Sequence, residues 1–215
     1  EVTPRSATML AALAAEIGFP AGVLNVVNGL GSTVGEAIVQ HPAIKAISFT
    51  GSSAVGRRLA GITGPMLKKT SLELGGKNAT LVFADSDWRA HLDTLVRSAF
   101  QNSGQICLCG SRLLVERSIH DEFRAAFVER VQALRIGDPL ETGTQIGPLV
   151  SQAQFDKVLA CIQRARDEGG RVLCGGEALD RAGWFIAPTV IDGLGPECAT
   201  NREEIFGPVL STVLA

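Results

Sequence analysis

A cysteine in a glycine-containing loop is the residue of this sequence best suited to nucleophilic chemistry. Cys107 lies in the segment 102–109 (NSGQICLC), between a predicted amphipathic helix and a predicted strand. A thiol in such a junction can be exposed, and backbone N–H donors there stabilise the thiolate, which is the nucleophilic form. Cys107 and Cys109 could instead bind a metal or cycle as a dithiol. A lone C-x-C is weak evidence for a metal, and redox pairs usually show C-x-x-C spacing. The other three cysteines are interpreted as small buried hydrophobic residues: Cys161, Cys174 and Cys198.

A glutamate between two leucines is the second candidate for chemistry. Glu73 lies in the segment 72–77 (LELGGK), on a predicted strand that runs into two glycines. Burying a carboxylate is costly unless it has partners, and burial raises its pKa. A raised pKa suits a general acid or base that works near neutral pH. The alternative is a structural ion that pairs with Lys69, Lys77 or a backbone donor.

Two further segments have the composition of loops with a defined conformation. In the segment 49–56 (FTGSSAVG), a predicted strand runs into Gly51 and Ser52 and then into a helix. Free N–H groups at a helix start, with a hydroxyl and no bulky side chain, favour phosphate binding. The segment lacks both the G-x-G-x-x-G pattern and the P-loop lysine, so a plain turn between strand and helix is the alternative. The segment 203–208 (EEIFGP), taken alone, is typical of a surface turn.

The elements around these segments indicate an α/β protein with a boundary near Gly75. Short strands alternate with helices over the first 75 residues, which is the pattern of a parallel sheet, and longer amphipathic helices follow. Predicted strands cover 23–27, 46–49, 70–74, 79–83, 112–116, 171–174, 184–191 and 209–214. Predicted helices begin with Thr3 as N-cap, at 33, 53 and 86, and at the cap motifs of Ser118 and Ser151.

Composition excludes several classes of function. The 215 residues are 46% hydrophobic and 20% charged, which is too apolar for a disordered tail. Basic residues number 20 against 22 acidic ones, and no Lys/Arg run indicates a nucleic-acid surface. No apolar stretch reaches the roughly 20 residues of a membrane span, and the three histidines lack metal-ligand spacing. We therefore expect no membrane, nucleic-acid or metal partner. An odd number of irregularly spaced cysteines favours free thiols in a reducing, cytoplasmic compartment.

Taken in order, the four segments resemble the aldehyde dehydrogenase superfamily. The matching motifs are FTGS at 49–52, LELGGK at 72–77, GQIC at 104–107 and EEIFGP at 203–208. The resemblance covers the whole chain and implies an α/β fold with a parallel Rossmann-type cofactor half-domain over 1–75. An α/β catalytic domain over 76–215 follows it, incomplete at its C-terminus. Because the chain begins at Glu1 and ends in a strand, we expect a piece of a longer protein, with little activity when isolated.

The resemblance implies a covalent mechanism and a nicotinamide cofactor. Cys107 would attack the aldehyde carbonyl to give a thiohemiacetal, hydride transfer would leave a thioester, and Glu73 would activate the water that hydrolyses it. Glu1 would meet the adenosine ribose, which favours NAD over NADP, and Glu204 would hold the nicotinamide ribose. The full set of implied cofactor-binding residues is Glu1, Gly31, Thr50, Gly51, Ser52, Val55, Gly56, Leu74, Glu204 and Phe206.

Substrate and assembly are also expectations from the resemblance. The segments 106–109 (ICLC), 183–185 (GWF) and 197–198 (EC) look most like those of muconic semialdehyde dehydrogenases, although betaine-aldehyde and aliphatic members remain alternatives. The expected partner is a small-molecule aldehyde, and the full-length protein is expected to be a homodimer or homotetramer. A CoA-acylating enzyme is a second possibility, but that branch typically lacks the glutamate at position 73. A catalytically inactive cofactor-binding module is a third, and the presence of Cys107 and Glu73 argues against it.

Overall fold

The computed structural model describes residues 1–214 and divides them into two compact units, Glu1–Gly75 and a second unit that begins at Gly76. The elements of the first unit are α1 (Arg5–Glu16), a π-helical turn (Gly31–Gly35) that continues into α2 (Glu36–Gln40), β1 (Ala46–Gly51), α3 (Ser53–Thr63) and β2 (Lys69–Leu74). The elements of the second unit are β3 (Ala79–Val82), α4 (Trp88–Phe100), β4 (Arg112–Val115), α5 (His120–Gln132), α6 (Gln152–Asp167), β5 (Arg171–Cys174), β6 (Thr189–Asp192), α7 (Ala199–Arg202) and β7 (Val209–Leu214).

The first unit is built on a parallel strand pair joined by α3. The register pairs Thr50 of β1 with Glu73 of β2, and Gly51 with Leu74. Helix α3 lies close to β2 because Gly56 has no side chain: a Cβ there would lie 2.5 Å from a methyl carbon of Leu74. The small core of this unit joins α2, β1 and α3 through Val39, Ile47 and Leu59. The end of β1 and the start of α3 are thereby fixed beside β2.

The second unit is a five-stranded sheet in the order β3-β4-β7-β6-β5. The first four strands run parallel, and β5 pairs with β6 in the antiparallel direction. Side chains of α4, α5 and the sheet form one core, which includes Phe100, Phe123 and Leu113. A second core joins α6 to the sheet, with Val158 and Ile191 fully buried. The β7 strand is central, so the loop before it is anchored by strands on both sides.

The α/β class and most of the predicted elements are confirmed, but the strand predicted over 184–191 begins only at Thr189, and three further local predictions are wrong. The segment 23–27 forms turns and coil, since Val23 and Val27 are exposed and no strand within residues 1–214 pairs with it. Helix α1 begins at Arg5 with no side-chain cap, so Thr3 does not cap it. Ser118 donates to the Glu116 carboxylate and lies in a 3₁₀ turn, and α5 begins only at His120.

The predicted cap of α6 is confirmed. Ser151 Oγ accepts a hydrogen bond of 3.3 Å from the Gln154 N–H. The helix ends at Asp167, before Gly169, whose φ is +90°. None of the helices within residues 1–214 combines the length and the apolar character needed to cross a membrane.

Phe123 is predicted to be a major contributor to the stability of the second unit. It is fully buried, and its ring contacts Trp88 edge-on with centroids 5.2 Å apart. Replacement by alanine should lower the free energy of unfolding by about 3–5 kcal/mol, because a large cavity remains. Urea unfolding measures this, with exposed Leu140→Ala as the matched control, expected to change stability by less than about 0.5 kcal/mol. Equal losses in the two variants would contradict the assigned core.

Candidate active site

The turn between β1 and α3 is fixed by the N-cap residue Ser52. Ser52 is the N-cap of α3, and its Oγ accepts a hydrogen bond of 3.3 Å from the Val55 N–H. The first N–H groups of a helix have no partner within the helix, and the helix dipole adds positive potential there. This 11-residue helix therefore presents donors next to Thr50 and Gly51, as the phosphate-binding interpretation requires.

A cavity of about 740 Å³ lies in the first unit and brings together three of the predicted cofactor residues, Glu1, Gly31 and Val55. Phe49 and Ile47 give it apolar walls. The other predicted residues of this unit are not among those that line the cavity, although they belong to the same strand–helix–strand segment: Thr50, Gly51, Ser52, Gly56 and Leu74. The cavity has the apolar walls and few polar groups typical of a small-molecule site.

Glu73 differs from the sequence-based expectation. It lies on β2, but its side chain is exposed, so the burial predicted for it is absent. Its carboxylate makes no hydrogen bond or ion pair within Glu1–Gly75, and the proposed structural pair with Lys69 is not formed. The alternation of apolar and polar residues along β2 puts Leu72 and Leu74 on the more protected face and Glu73 on the other.

The loop that carries Cys107 is strained and tightly packed. After α4, the consecutive residues Asn102, Ser103 and Gly104 have φ values of +52°, +56° and +69°. A Cβ on Gly104 would lie 2.0 Å from the carbonyl oxygen of Gly207, so only glycine fits. Non-glycine residues in this region of backbone space cost about 1–3 kcal/mol each and persist only where the surroundings enforce them.

Hydrogen bonds to neighbouring segments hold this loop. Ser103 Oγ donates to the Gly147 carbonyl at 2.8 Å, and Gln105 Oε1 accepts from the Val150 N–H at 3.1 Å. Asn78 Nδ2 donates to the carbonyl oxygen of Cys107 itself at 2.7 Å. The sequence interpretation missed Asn78. The sequence feature that could have identified Asn78 is its position: it is a polar residue directly after the LELGGK segment, where the chain enters β3.

The two cysteines of the loop have opposite environments. Cys107 is exposed, whereas Cys109 is buried, with 7% of its surface accessible. Burial raises the pKa of the Cys109 thiol, and a hydrogen bond with Ile106 only partly opposes that effect. A raised pKa leaves less thiolate at neutral pH, so Cys109 is the weaker nucleophile. The loop therefore separates two thiols that the sequence alone could not distinguish by environment.

The segment before β7 is a partly buried loop with a fixed conformation. The interpretation of this segment, taken alone, as a surface turn is therefore wrong. Ile205 is buried, Phe206 has a φ of +59°, and Gln154 of α6 donates to the carbonyl oxygens of both at 3.0 and 2.7 Å. The half-buried Glu204 accepts from the Gly76 N–H at 3.4 Å through Oε1. Glu204 and Phe206 also line one small cavity of the second unit. Gln154, known from the sequence only as part of a cap motif, is the residue that fixes this loop.

Comparison with known proteins identifies the family. The model of the aldehyde dehydrogenase family matches residues 1–215, so the chain belongs to that family, and the resemblance stated above is confirmed. Among relatives, the chain is 46% identical to a 2-aminomuconic 6-semialdehyde dehydrogenase of Pseudomonas sp over 97% of this chain and 44% of the relative. It is 43% identical to a betaine aldehyde dehydrogenase of Cereibacter sphaeroides over 99% of this chain and 44% of the relative. The chain thus spans less than half the length of these relatives.

Solved structures agree in fold. A crystal structure of an NAD-dependent aldehyde dehydrogenase from Sinorhizobium meliloti matches with a TM-score of 0.96 and 40% identity, covering 99% of this chain and 42% of that one. A betaine aldehyde dehydrogenase from Staphylococcus aureus, solved in complex with NAD+, matches with a TM-score of 0.96 and 33% identity, covering 99% of this chain and 43% of that one. The aldehyde dehydrogenase-like fold predicted from the motifs is therefore confirmed.

Cys107 is predicted to react with iodoacetamide faster than Cys109 at neutral pH. Cys107 is exposed, whereas burial both blocks access to Cys109 and raises its pKa. Peptide mapping after partial alkylation measures the two rates. Both cysteines lie in one peptide, so fragmentation of that peptide locates the label, and a Cys107→Ser variant is the control, in which the fast labelling of this peptide should disappear. Faster labelling of Cys109 in the unmodified protein would refute the assignment of the nucleophile.

Proposed function

We propose that this chain carries the nucleophile, the general base and most of the cofactor site of an NAD-dependent aldehyde dehydrogenase. The reaction is the oxidation of an aldehyde, of the semialdehyde class, to a carboxylic acid. The single observation that carries the proposal is the separation of two neighbouring thiols, with Cys107 exposed on a strained loop and Cys109 buried. A nucleophilic thiol must be accessible and fixed in position, and the Cys107 loop supplies both.

In the first half of the proposed reaction, the Cys107 thiolate attacks the carbonyl carbon of the aldehyde. A C–S bond forms and the carbonyl oxygen takes up the electron pair, which gives a thiohemiacetal. NAD, when bound, supplies the acceptor for the hydride that leaves this carbon. The carbon–oxygen double bond then re-forms as a thioester on Cys107. The Asn78 bond to the Cys107 carbonyl supports the proposal, because it fixes the backbone from which the nucleophile projects.

In the second half, Glu73 takes a proton from the water whose oxygen attacks the thioester. The C–S bond breaks, the Cys107 thiolate leaves, and the carboxylic acid is released. The exposure of Glu73 supports this role, because a water-activating carboxylate needs access to water. The strand register is a second support, because it pairs Glu73 with Thr50, directly before the phosphate-binding turn.

The residues of the first unit fit the dinucleotide expected in this family. The N–H groups at the start of α3, with Gly51 and Ser52, would hold the pyrophosphate, and Gly56 lets α3 approach β2. Glu1 and Gly31 line a cavity that would take the adenosine. In the second unit, Glu204 would bind the nicotinamide ribose, with Phe206 beside it.

The proposals for substrate and assembly rest on similarity to the relatives and not on the geometry of the site. Similarity to 2-aminomuconic 6-semialdehyde dehydrogenase supports a semialdehyde substrate, and betaine aldehyde is the second candidate because a relative of similar identity bears that name. We also propose a homodimer or homotetramer for the complete protein. The CoA-acylating alternative is disfavoured by Glu73, and the inactive-module alternative by Cys107 and Glu73 together.

Glu73→Gln, in the complete protein that carries this chain, should slow release of the acid more than it slows formation of the thioester. A general base contributes about 10²–10⁴-fold, so rapid mixing with an aldehyde should show about one NADH per site and then slow turnover. Glu129→Gln, exposed on α5, is the matched control and should behave like the unmodified enzyme. Unchanged acid release with lost cofactor binding would make Glu73 structural. Acyl-CoA formation on addition of coenzyme A would favour the CoA-acylating alternative.

NAD should be preferred over NADP, and Glu1 should contribute to that preference. A carboxylate at the adenosine ribose accepts from the 2′-hydroxyl and repels a 2′-phosphate. Glu1→Gln should reduce the ratio of kcat/KM for NAD to that for NADP by about tenfold, the effect of roughly 1.4 kcal/mol. Glu16→Gln on α1 is the control and should leave the ratio unchanged. If the ratio of kcat/KM for NAD to that for NADP is the same in the unmodified enzyme and in Glu1→Gln, Glu1 does not contribute to cofactor preference.

A further inference from the structure

Asn78 contacts both ends of the segment that connects Cys107 to β4. Its side-chain Nδ2 donates to the carbonyl oxygen of Cys107 at 2.7 Å. Its main-chain carbonyl oxygen accepts from the N–H of Arg112, the first residue of β4, at 3.1 Å. One half-buried residue therefore binds the segment 107–112 where it begins and where it ends.

The side chain of Arg112 binds the residue that precedes Asn78. Its Nη2 donates to the carbonyl oxygen of Lys77, and its main-chain N–H donates to that of Asn78, so one residue binds two successive carbonyl groups. The main chain of Arg112 is itself held between two strands, opposite Ala79 of β3 and Ser211 of β7. Asn78 is thereby supported by a residue of an inner strand of the sheet.

The main chain of Cys107 depends on Asn78. Among residues 1–214, the Asn78 bond is the one hydrogen bond that involves a main-chain atom of Cys107. The turns beside it are closed by a bond from the Cys109 N–H to the Ile106 carbonyl at 3.0 Å and by one from the Ser111 N–H to the Cys109 carbonyl at 2.9 Å. The side chain of Cys107 is exposed, so burial does not fix it either. Without the Asn78 amide, the peptide group that follows Cys107 would have no hydrogen bond to hold its orientation.

We propose that Asn78 and Arg112 are positioning residues for hydride transfer. The Asn78 amide holds the main chain of Cys107, and Arg112 holds Asn78. The inference rests on the proposed function, in which the substrate carbon bonded to Cys107 Sγ gives up a hydride to NAD. Each of the two residues acts through the placement of Cys107 rather than by contact with the substrate.

Hydride transfer and alkylation of the thiol differ in how precisely they need Cys107 to be placed. Transfer needs the substrate carbon at a defined distance and angle from the acceptor, and a misplacement of about 1 Å can cost about 10²-fold in rate. Alkylation by iodoacetamide needs only an accessible thiolate. A residue that positions Cys107 should therefore affect the first reaction and not the second, whereas a residue needed only for folding should affect neither in the protein that remains folded.

The experiment compares Asn78→Ala with Gln132→Ala in the complete protein that carries this chain. Rapid mixing with an aldehyde at saturating NAD measures the rate constant for NADH formation in the first turnover, and partial labelling with iodoacetamide measures that for alkylation of Cys107. Asn78→Ala should lower the first rate constant about fivefold to tenfold, the size of one lost hydrogen bond. It should change the second by less than about twofold, since the thiol stays exposed. Gln132→Ala removes an exposed amide from α5 and should change neither.

Arg112→Met tests whether Arg112 acts through Asn78. The variant removes the Nη2 donor and leaves the main-chain N–H in place. It should lower the first-turnover rate constant about threefold to fivefold, and Arg112→Lys, which keeps a donor, should lower it less. In the Asn78→Ala protein, adding Arg112→Met should cause no further loss, because two residues that act on one contact are not additive. Arg117→Met, exposed in the turn after β4, is the matched control and should leave the rate constant unchanged.

Asn78→Leu covers the case in which Asn78→Ala does not fold, because leucine has nearly the shape of asparagine and no donor. It should reproduce the difference between the two rate constants. An unchanged first-turnover rate constant in the Asn78 variants, or an equal loss of both rate constants, would overturn the inference while leaving the role of Cys107 intact. A further loss on adding Arg112→Met to Asn78→Ala would overturn the assignment of Arg112. If Cys107→Ser still forms NADH at the normal rate, the proposed function fails, and the inference fails with it.

Discussion

The second unit depends on one contact in which two backbones meet without side chains between them. Gly104 of the Cys107 loop lies so close to Gly207 that a Cβ would come within 2.0 Å of the Gly207 carbonyl oxygen. Gly207 in turn leaves no room for a side chain beside Val158, since a Cβ there would lie 2.5 Å from a Val158 methyl carbon. The position of the Cys107 loop is therefore set by α6 through Gly207. Val158 is fully buried, so this reference point is rigid.

Polar groups then fix the conformation that this contact requires. The loop before β7 is irregular, so its carbonyl groups have no partners in a helix or strand. Gln154 donates hydrogen bonds to two of them, those of Ile205 and Phe206. On the other side, hydrogen bonds of Ser103 and Asn78 connect the Cys107 loop to Gly147 and to the start of β3. Buried carbonyl groups without partners would be costly. Each of these side chains therefore contributes both to stability and to the placement of Cys107.

The elements that the sequence predicted best are those whose signal is local. The Ser151 cap, the α6 stripe and the buried strand β7 depend on residues close together in the chain, and each formed as expected. The segment 23–27 has strand composition, but a strand needs a neighbour to pair with, and composition does not supply one. The burial predicted for Glu73 failed for the same reason: whether a face of β2 is covered is a tertiary property. Asn78 and Gln154 could be seen in the sequence, but their acceptors lie 29 and more residues away.

Backbone strain is concentrated in the Cys107 loop and in the loop before β7. Of the four non-glycine residues with positive φ in the described part of the chain, three lie in the two loops that meet at Gly104 and Gly207. These are Asn102, Ser103 and Phe206, whereas the fourth, Leu67, is an exposed turn residue. Each such residue costs about 1–3 kcal/mol, so the loops would relax to other conformations if the close contact and its hydrogen bonds were lost. A flexible loop could also expose a thiol, but it would not hold Cys107 in one orientation. The strained backbone therefore holds the exposed Cys107 thiol at a fixed point before the chain enters β4.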